Sequence, residues 1–468
     1  MADQRSVSVS GDISDVLAKQ LKARNALIAR EKECRSDRAF KESLSPAAQR
    51  ACEIVSKIRE EEQQTIWRNV RTDDGEPELF PGMMFNLAKS LMEKTKLWRI
   101  AERMPKGALL HCHLSATVDM AWLFETAINT PGMKFSAACP LTSAKVLNKA
   151  GVSFRFYKSA PEVKESIWES NYVANSWVDV QVAADTFPEG GRKGFIKWLQ
   201  DRTCIVEEES IQHHLGVDDI WRNLVSNITD PVIDMKCCIK AKKAYPHLIA
   251  GYDLVGQEDL GKTHLELTPE LLWFKEECKK EGVQIPFFFH AGECLGDGDS
   301  TDQNLFDAIL LGTRRIGHGF SLYKHPILID MVKEKRILVE ACPISNEVLR
   351  LTMTVLAHPL PGLLSRGVAA SLSNDDPALL GQGTSGMTHD FCSALQAWDN
   401  VGLGGLGSLA ENSVRWAVFE DQDDERWISA IDAGHNGAGI KAQRLKDWAQ
   451  MWEEFCQWVI NEFGDYYS

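Results

Sequence analysis

The chain has 468 residues, enough for one large barrel domain with an appendage or for two ordinary domains. Its apolar fraction of 44% is typical of globular proteins. Its formal net charge of −14 argues against a nucleic-acid binder, which would carry a basic face.

The sequence also indicates where the protein works. No apolar run approaches the roughly 20 residues needed to span a bilayer, and the N-terminal stretch lacks the apolar core of a secretory signal. The 12 cysteines include no CxxC pair, which is typical of free thiols in a reducing compartment. We therefore expect a cytoplasmic protein with neither a membrane nor a nucleic acid as partner.

Residues 1–104 are polar and charged, with helical stretches at 46–66 and 84–102. They predict a helical N-terminal extension, and we expect a homodimer to form through these helices.

The sequence pattern changes over residues 105–468, where short apolar runs alternate with amphipathic helical segments. This alternation is typical of a parallel sheet with crossover helices. One connecting helix is predicted to begin at Thr268, with Pro269 at its first position, and to end at Gly282. The predicted strands are Leu109–His113, Leu248–Val255, Pro286–His290, Arg315–His318, Ile337–Cys342 and Val368–Ser373.

An insertion at about 128–230 does not follow this alternation of predicted strands and helices. Its one strand-like piece, Val152–Tyr157, gives little reason to expect a good fit into a barrel. The count is therefore six strands, where a closed (β/α)8 barrel needs eight.

Two glycine patterns resemble nucleotide-binding motifs. Residues 256–263 read GQEDLGKT, but Glu258 and Asp259 would repel a phosphate, and the predicted helix begins too late to face one. Residues 402–407 read GLGGLG, but they follow a helical segment instead of a strand, so we interpret them as a flexible turn.

Polar side chains stand at the ends of four predicted strands. His111 and His113 leave the same face of one strand, His290 ends a second, His318 ends a third, and Asp375 with Asp376 follows a fourth. Active sites of parallel barrels are built at this edge. Three imidazoles and a carboxylate suit zinc, which leaves Glu293 and His318 as acid and base candidates.

The blocks MPKGALLHCHLSATVD, AGYDLVGQEDLG, FFFHAGE, RRIGHGF, ACPISN and SNDDP, in this order within 104–420, resemble the adenosine deaminase family. The likeness is strongest to its adenosine deaminase-related growth factor branch, whose members are secreted. The resemblance implies a (β/α)8 barrel of the metal-dependent hydrolase kind and deamination of adenosine or deoxyadenosine.

The resemblance also implies roles for individual residues. One Zn²⁺ per chain would be held by His111, His113, His290 and Asp375. Glu293 would hand a proton to the purine N1, and His318 would deprotonate or orient the attacking water. Asp376 would meet the ring N7, and the backbone of Gly256 would meet N3.

Two departures from the family pattern stand out. Small soluble members read HxHLDG where this chain has Ser115, so the carboxylate that would contact the ribose 5′ end is missing. Family members also carry two barrel strands between the block ending near Ile228 and AGYDLVG. Either a segment has been lost from the sequence, or the protein is a natural variant with an incomplete barrel.

Three functions stay open from the sequence: an adenosine deaminase, an AMP deaminase, and a catalytically weakened relative that binds or signals. The complete set of metal and acid residues favours an enzyme, whereas the strand deficit favours the weakened relative.

Overall fold

The computed structural model describes residues 11–69, 79–158, 166–204, 231–423 and 425–467. The N-terminal part is helical, as predicted. The second predicted stretch is split near Thr95, whose side chain accepts a hydrogen bond from the Trp98 N–H and so starts a new helix. The helices are α1 (Gly11–Glu33), α2 (Arg38–Glu42), α3 (Pro46–Thr65), α4 (Phe85–Met92) and α5 (Lys96–Arg103).

A small antiparallel sheet follows, with its own apolar core. Strand β1 pairs with β2 on one side and with β3 on the other. Phe135, Trp168 and Phe195 are buried in this core. The predicted strand at Val152–Tyr157 pairs with β1 over Val152–Phe156, so it belongs to this unit and not to the parallel sheet. The elements are α6 (Met120–Asn129), β1 (Met133–Ala137), α7 (Ala144–Lys149), β2 (Val152–Phe156), β3 (Val178–Asp179), α8 (Val180–Asp185) and α9 (Gly191–Thr203).

The larger sheet is parallel and runs in the order β4, β5, β6, β7. Parallel bridges extend it at both ends, from Cys112 to Asp375 beyond β7 and from Tyr252 to Phe287 beyond β4. All six segments predicted as strands therefore lie side by side. Its elements begin with α10 (Pro231–Ala244), α11 (His264–Glu281), β4 (His290–Ala291), α12 (Asn304–Leu310), β5 (Arg315–His318), α13 (Pro326–Glu334), β6 (Leu338–Ala341), α14 (Pro343–Val348), α15 (Leu360–Ser365) and β7 (Ala370–Leu372).

Four C-terminal helices cover the sheet: α16 (Gly386–Ala397), α17 (Gly402–Arg415), α18 (Trp427–Ala433) and α19 (Gly439–Phe463). Trp448, Trp452 and Phe455 of α19 are buried in the main core beside α3. In the described ranges, no helix has both the length and the apolar character to cross a membrane.

Two local predictions were wrong. Helix α11 begins earlier than expected because Thr263 and Glu266 form a capping box, which leaves Pro269 inside the helix. The glycines of GLGGLG lie in helix α17 and not in a flexible turn. A Cβ at Gly407 would meet the ring of Phe40 at 2.7 Å, so glycine is needed there for close helix packing.

The fold class is confirmed as an α/β protein with a parallel sheet and a helical N-terminus. Within the described ranges, the sheet has six strand positions and does not close. One open edge is the strand carrying Cys112, and the other is the segment carrying Tyr252. Open edges expose unpaired backbone groups and destabilise a barrel.

We expect a version carrying a homologous two-strand segment after Ile228 to melt at a higher temperature and to aggregate less than this chain. Closing the sheet would pair both edges, and each kcal/mol gained raises Tm by roughly 2–4 °C or less in a large domain. The matched control inserts a Gly/Ser segment of the same length. Equal melting temperatures and equal aggregation for all three versions would show that the strand deficit has no effect.

Candidate active site

The sequence-predicted site residues meet at the carboxyl ends of the parallel strands. His290 begins β4 beside Gly317, and His318 is the last residue of β5. Asp375 follows β7 and pairs through its backbone with the segment of His111 and His113. The topology therefore brings four separate segments to one edge, as the strand-end positions predicted.

Asp375 lies at the centre of this cluster. Its Oδ1 is 3.2 Å from Nε2 of His111 and 2.8 Å from Nε2 of His113. Its Oδ2 accepts a hydrogen bond of 2.6 Å from the Ser345 hydroxyl and lies 3.9 Å from Nε2 of His318. One carboxylate thus contacts three imidazoles and a hydroxyl.

The charge of Asp375 is stabilised by these contacts. Burial by itself raises the pKa of this carboxyl, but hydrogen bonds with His111 and His113 outweigh it and hold the pKa well below its usual value. Burial lowers the pKa of His111, whereas its contacts with Asp375 and Glu340 raise it well above the ordinary value. The cluster therefore favours a negative charge on Asp375.

Two site residues have a left-handed backbone that only glycine adopts easily. His318 has φ of 61° and Asp375 has φ of 57°. Such conformations cost of order 1–3 kcal/mol and persist where the surrounding structure enforces them. They turn both side chains toward the cluster where their strands end.

The donor set fits a metal ion. One ligand atom each from His111, His290, His318 and Asp375 lies within 4.8 Å of the others, and His113, Asp375 and Asp376 form an overlapping group. Nδ1 of His290 is 2.7 Å from the Asp253 carboxylate, while its buried Nε2 has no hydrogen-bond partner among the described residues. A proton on Nδ1 leaves a lone pair on Nε2, as metal-binding histidines require.

Glu293 lies beside this donor set. Its Oε1 is 3.4 Å from Nδ1 of His318 but forms no hydrogen bond within the described residues. Burial, and then the charges of Asp375 and Glu258, raise the pKa of Glu293 well above its ordinary value. These surroundings favour the protonated acid.

The predicted substrate-binding residues lie around the same edge. Asp376 is buried, and burial followed by the charge of Asp375 raises its pKa to about 7. Gly256 is exposed, with φ of 148°, in the loop between Asp253 and Glu258. Ser115 lies in the 3₁₀ turn Leu114–Ala116 that follows His113. The role of Ser115 in substrate binding stays a prediction.

Sequence reasoning missed the carboxylates that hold the histidines. Asp253 contacts His290, and Glu340 contacts Nδ1 of His111 at 3.2 Å and accepts a hydrogen bond from Arg315. Both stand in predicted strands, where a charged residue in an apolar run was a usable signal. Carboxylates at such positions orient metal-binding imidazoles.

Glu258 is a third missed residue. Its carboxylate accepts backbone hydrogen bonds from Gly292 at 3.1 Å and Glu293 at 2.7 Å, and another of 2.9 Å from the Asn304 side chain. Glu258 thereby fixes the loop of Glu293. The pattern GQEDLGKT, noted above as similar to a phosphate-binding motif, thus places a carboxylate against backbone N–H groups that belong to the site.

Comparisons with known proteins agree with the resemblance found in the sequence. Residues 235–434 match the family model described as Adenosine deaminase. The chain is 28% identical over 426 residues to adenosine deaminase 2-A of Danio rerio, covering 75% of this chain and 83% of that protein. It is 28% identical over 424 residues to adenosine deaminase 2 of Homo sapiens, covering 74% and 81%. It is 41% identical over 201 residues to an adenosine deaminase of Aedes albopictus, covering 41% and 35%.

Replacing Asp253 with Asn should weaken metal binding about 10- to 100-fold, because the neutral amide holds the proton on Nδ1 of His290 less firmly. Titration of the purified variant with a competing chelator measures this affinity. The matched control is Asp330→Asn, whose side chain is 80% exposed. Equal affinities for the two variants would mean that Asp253 has no part in the metal site.

Proposed function

The chain belongs to the adenosine deaminase family and is a hydrolytic deaminase, and we propose that it converts adenosine or deoxyadenosine into inosine or deoxyinosine with release of ammonia. The observation that carries this proposal is the convergence of His111, His113, His290 and Asp375 beside the buried acid Glu293.

The proposed cofactor is one zinc ion per chain, held by His111, His113, His290 and Asp375. Imidazole nitrogens with one carboxylate oxygen suit the borderline-soft zinc ion. When bound, zinc would supply a water acidic enough to attack the purine C6 at neutral pH. The free buried nitrogen of His290 supports this assignment.

Glu293 is the proposed acid. Attack at C6 places negative charge on the adjacent ring nitrogen N1, and a protonated carboxyl can neutralise it by transferring its proton. The raised pKa of Glu293, caused first by burial, keeps that proton available. Glu258 holds the loop so that the carboxyl faces the donor set.

The purine would be oriented by Asp376 and Gly256. A carboxyl whose pKa is raised to about 7 by burial can donate a hydrogen bond to the lone pair of N7. The backbone N–H of the exposed Gly256 would donate to N3. Both contacts would hold C6 toward the metal, which is the positioning that the attack needs.

Replacing Glu293 with Gln should leave about one zinc per chain but reduce kcat for adenosine by about 10²- to 10⁴-fold, since an amide cannot give up the acid's proton. Metal analysis and the ultraviolet change on deamination measure the two quantities. Glu334→Gln, at an exposed position of helix α13, is the matched control. Turnover near that of the unmodified chain in both variants would place the acid elsewhere.

AMP is the second candidate substrate. Ser115 stands where small soluble family members carry a carboxylate, and a hydroxyl repels a 5′-phosphate less than a carboxylate does. Comparing turnover of adenosine, deoxyadenosine and AMP by the same ultraviolet assay separates the two activities. Zinc binding without turnover of any of them would favour the weakened relative.

We also propose that the chain forms a homodimer through its N-terminal helices. Four apolar side chains of helix α1 are each about half exposed or more: Val16, Leu17, Leu21 and Leu27. Exposed apolar faces of this kind favour association. Replacing Leu17 with Glu should shift the sedimentation coefficient to that of a monomer. A monomeric unmodified chain at micromolar concentration would reject the proposal.

A further inference from the structure

Three successive hydrogen bonds connect the backbone N–H of Leu360 to the imidazole of His318. The N–H of Leu360 donates to Nδ1 of His358 at 3.1 Å, and Nε2 of His358 is 3.0 Å from Oδ1 of Asn346. The Nδ2 of Asn346 is 3.1 Å from Nδ1 of His318. All three side chains are buried, so these contacts are not exchanged for water.

The first of these hydrogen bonds, from the Leu360 N–H, fixes the direction of the other two. A backbone N–H can only donate, so Nδ1 of His358 carries a lone pair and the ring proton sits on Nε2. Burial lowers the pKa of His358 to about 3, which keeps the ring neutral. Nε2–H therefore donates to Asn346, whose oxygen must face His358.

The orientation of Asn346 then decides the proton of His318. With its oxygen facing His358, the amide presents N–H to Nδ1 of His318, which must accept. A flipped amide would set two donors against each other at His358. A neutral His318 therefore carries its proton on Nε2, the nitrogen 3.9 Å from Oδ2 of Asp375.

We propose that His358 and Asn346 are positioning residues that fix His318 as an Nε2–H donor toward the metal site. This inference rests on the proposed deaminase function. His318 then orients the attacking oxygen by donating a hydrogen bond, and it is not the base, because a protonated Nε2 has no lone pair. The same proton excludes Nε2 of His318 as a metal ligand and so favours His113 in that role.

The first test is nitrogen NMR of the full chain with ¹⁵N-labelled histidine. The signals of His318 are identified among the 12 histidines by their loss in His318→Gln. We expect an unprotonated Nδ1 and a protonated Nε2. A protonated Nδ1 overturns the proposal. This readout does not depend on turnover, so it stands even if the chain proves to have no deaminase activity.

The second test is Asn346→Asp. A carboxylate can only accept, so it draws the proton of a neutral His318 to Nδ1 and leaves a lone pair on Nε2. At a pH where NMR shows this neutral ring, we expect kcat to fall about 10²- to 10³-fold with KM and zinc content unchanged. The exposed substitution Asn461→Asp is the matched control.

The two roles of His318 give opposite results in this variant. A histidine with a carboxylate on Nδ1 and a free Nε2 is the arrangement of a general base. Retained or increased kcat in Asn346→Asp would therefore show that His318 acts as the base. His358→Phe gives an independent check, because it frees the Asn346 amide and should yield a mixture of both His318 tautomers; an unchanged tautomer would remove His358 from the mechanism.

Discussion

The buried carboxylate of Asp375 is the group on which the rest of the site depends. Removing a charge from water costs several kcal/mol unless hydrogen bonds and opposite charges compensate. Here the compensation comes from His111, His113 and Ser345, which belong to different segments of the chain. The backbone of Asp375 also pairs with the strand of the two histidines, with an N–H to carbonyl distance of 3.0 Å from His113 to Asp375. The same residue therefore joins the strand of the two histidines to the sheet and gathers the donor set.

A second group of carboxylates fixes the parts of the site that Asp375 does not reach. Asp253 holds His290, Glu340 holds His111, and Glu258 holds the loop of Glu293. The charge of Glu340 is balanced by Arg315, which together with His111 overcomes the effect of burial and keeps the pKa of Glu340 below its ordinary value. The site is thus rigid because each reactive group is held by a partner from another strand or loop.

Within the described ranges, the donor set lies on consecutive strands of an open sheet, and the strand of His111 and His113 is one of the two edges. Strands β4 to β7 and the segment of His111 are consecutive neighbours in the sheet, and they carry all the proposed metal ligands. The open edges lie beyond Tyr252 on one side and Cys112 on the other. The ligand geometry therefore needs no contact across the opening. Gly317 lets the His111 ring pack closely against β5, because a Cβ there would come within 3.0 Å of that ring.

The sequence by itself determined the six strand positions, the helical N-terminus and the strand-end residues of the site. It could do so because apolar strands and the polar residues that end them are local patterns. The start of helix α11 was missed although its capping box, formed by Thr263 and Glu266, is itself a local pattern. The packing of the GLGGLG helix could not be read from the sequence, because it depends on contacts with Phe40 far away in sequence. Only the tertiary structure decided which carboxylate serves which histidine and which nitrogen of His318 carries the proton. Those properties depend on hydrogen bonds between segments up to 264 residues apart, and no local pattern contains them.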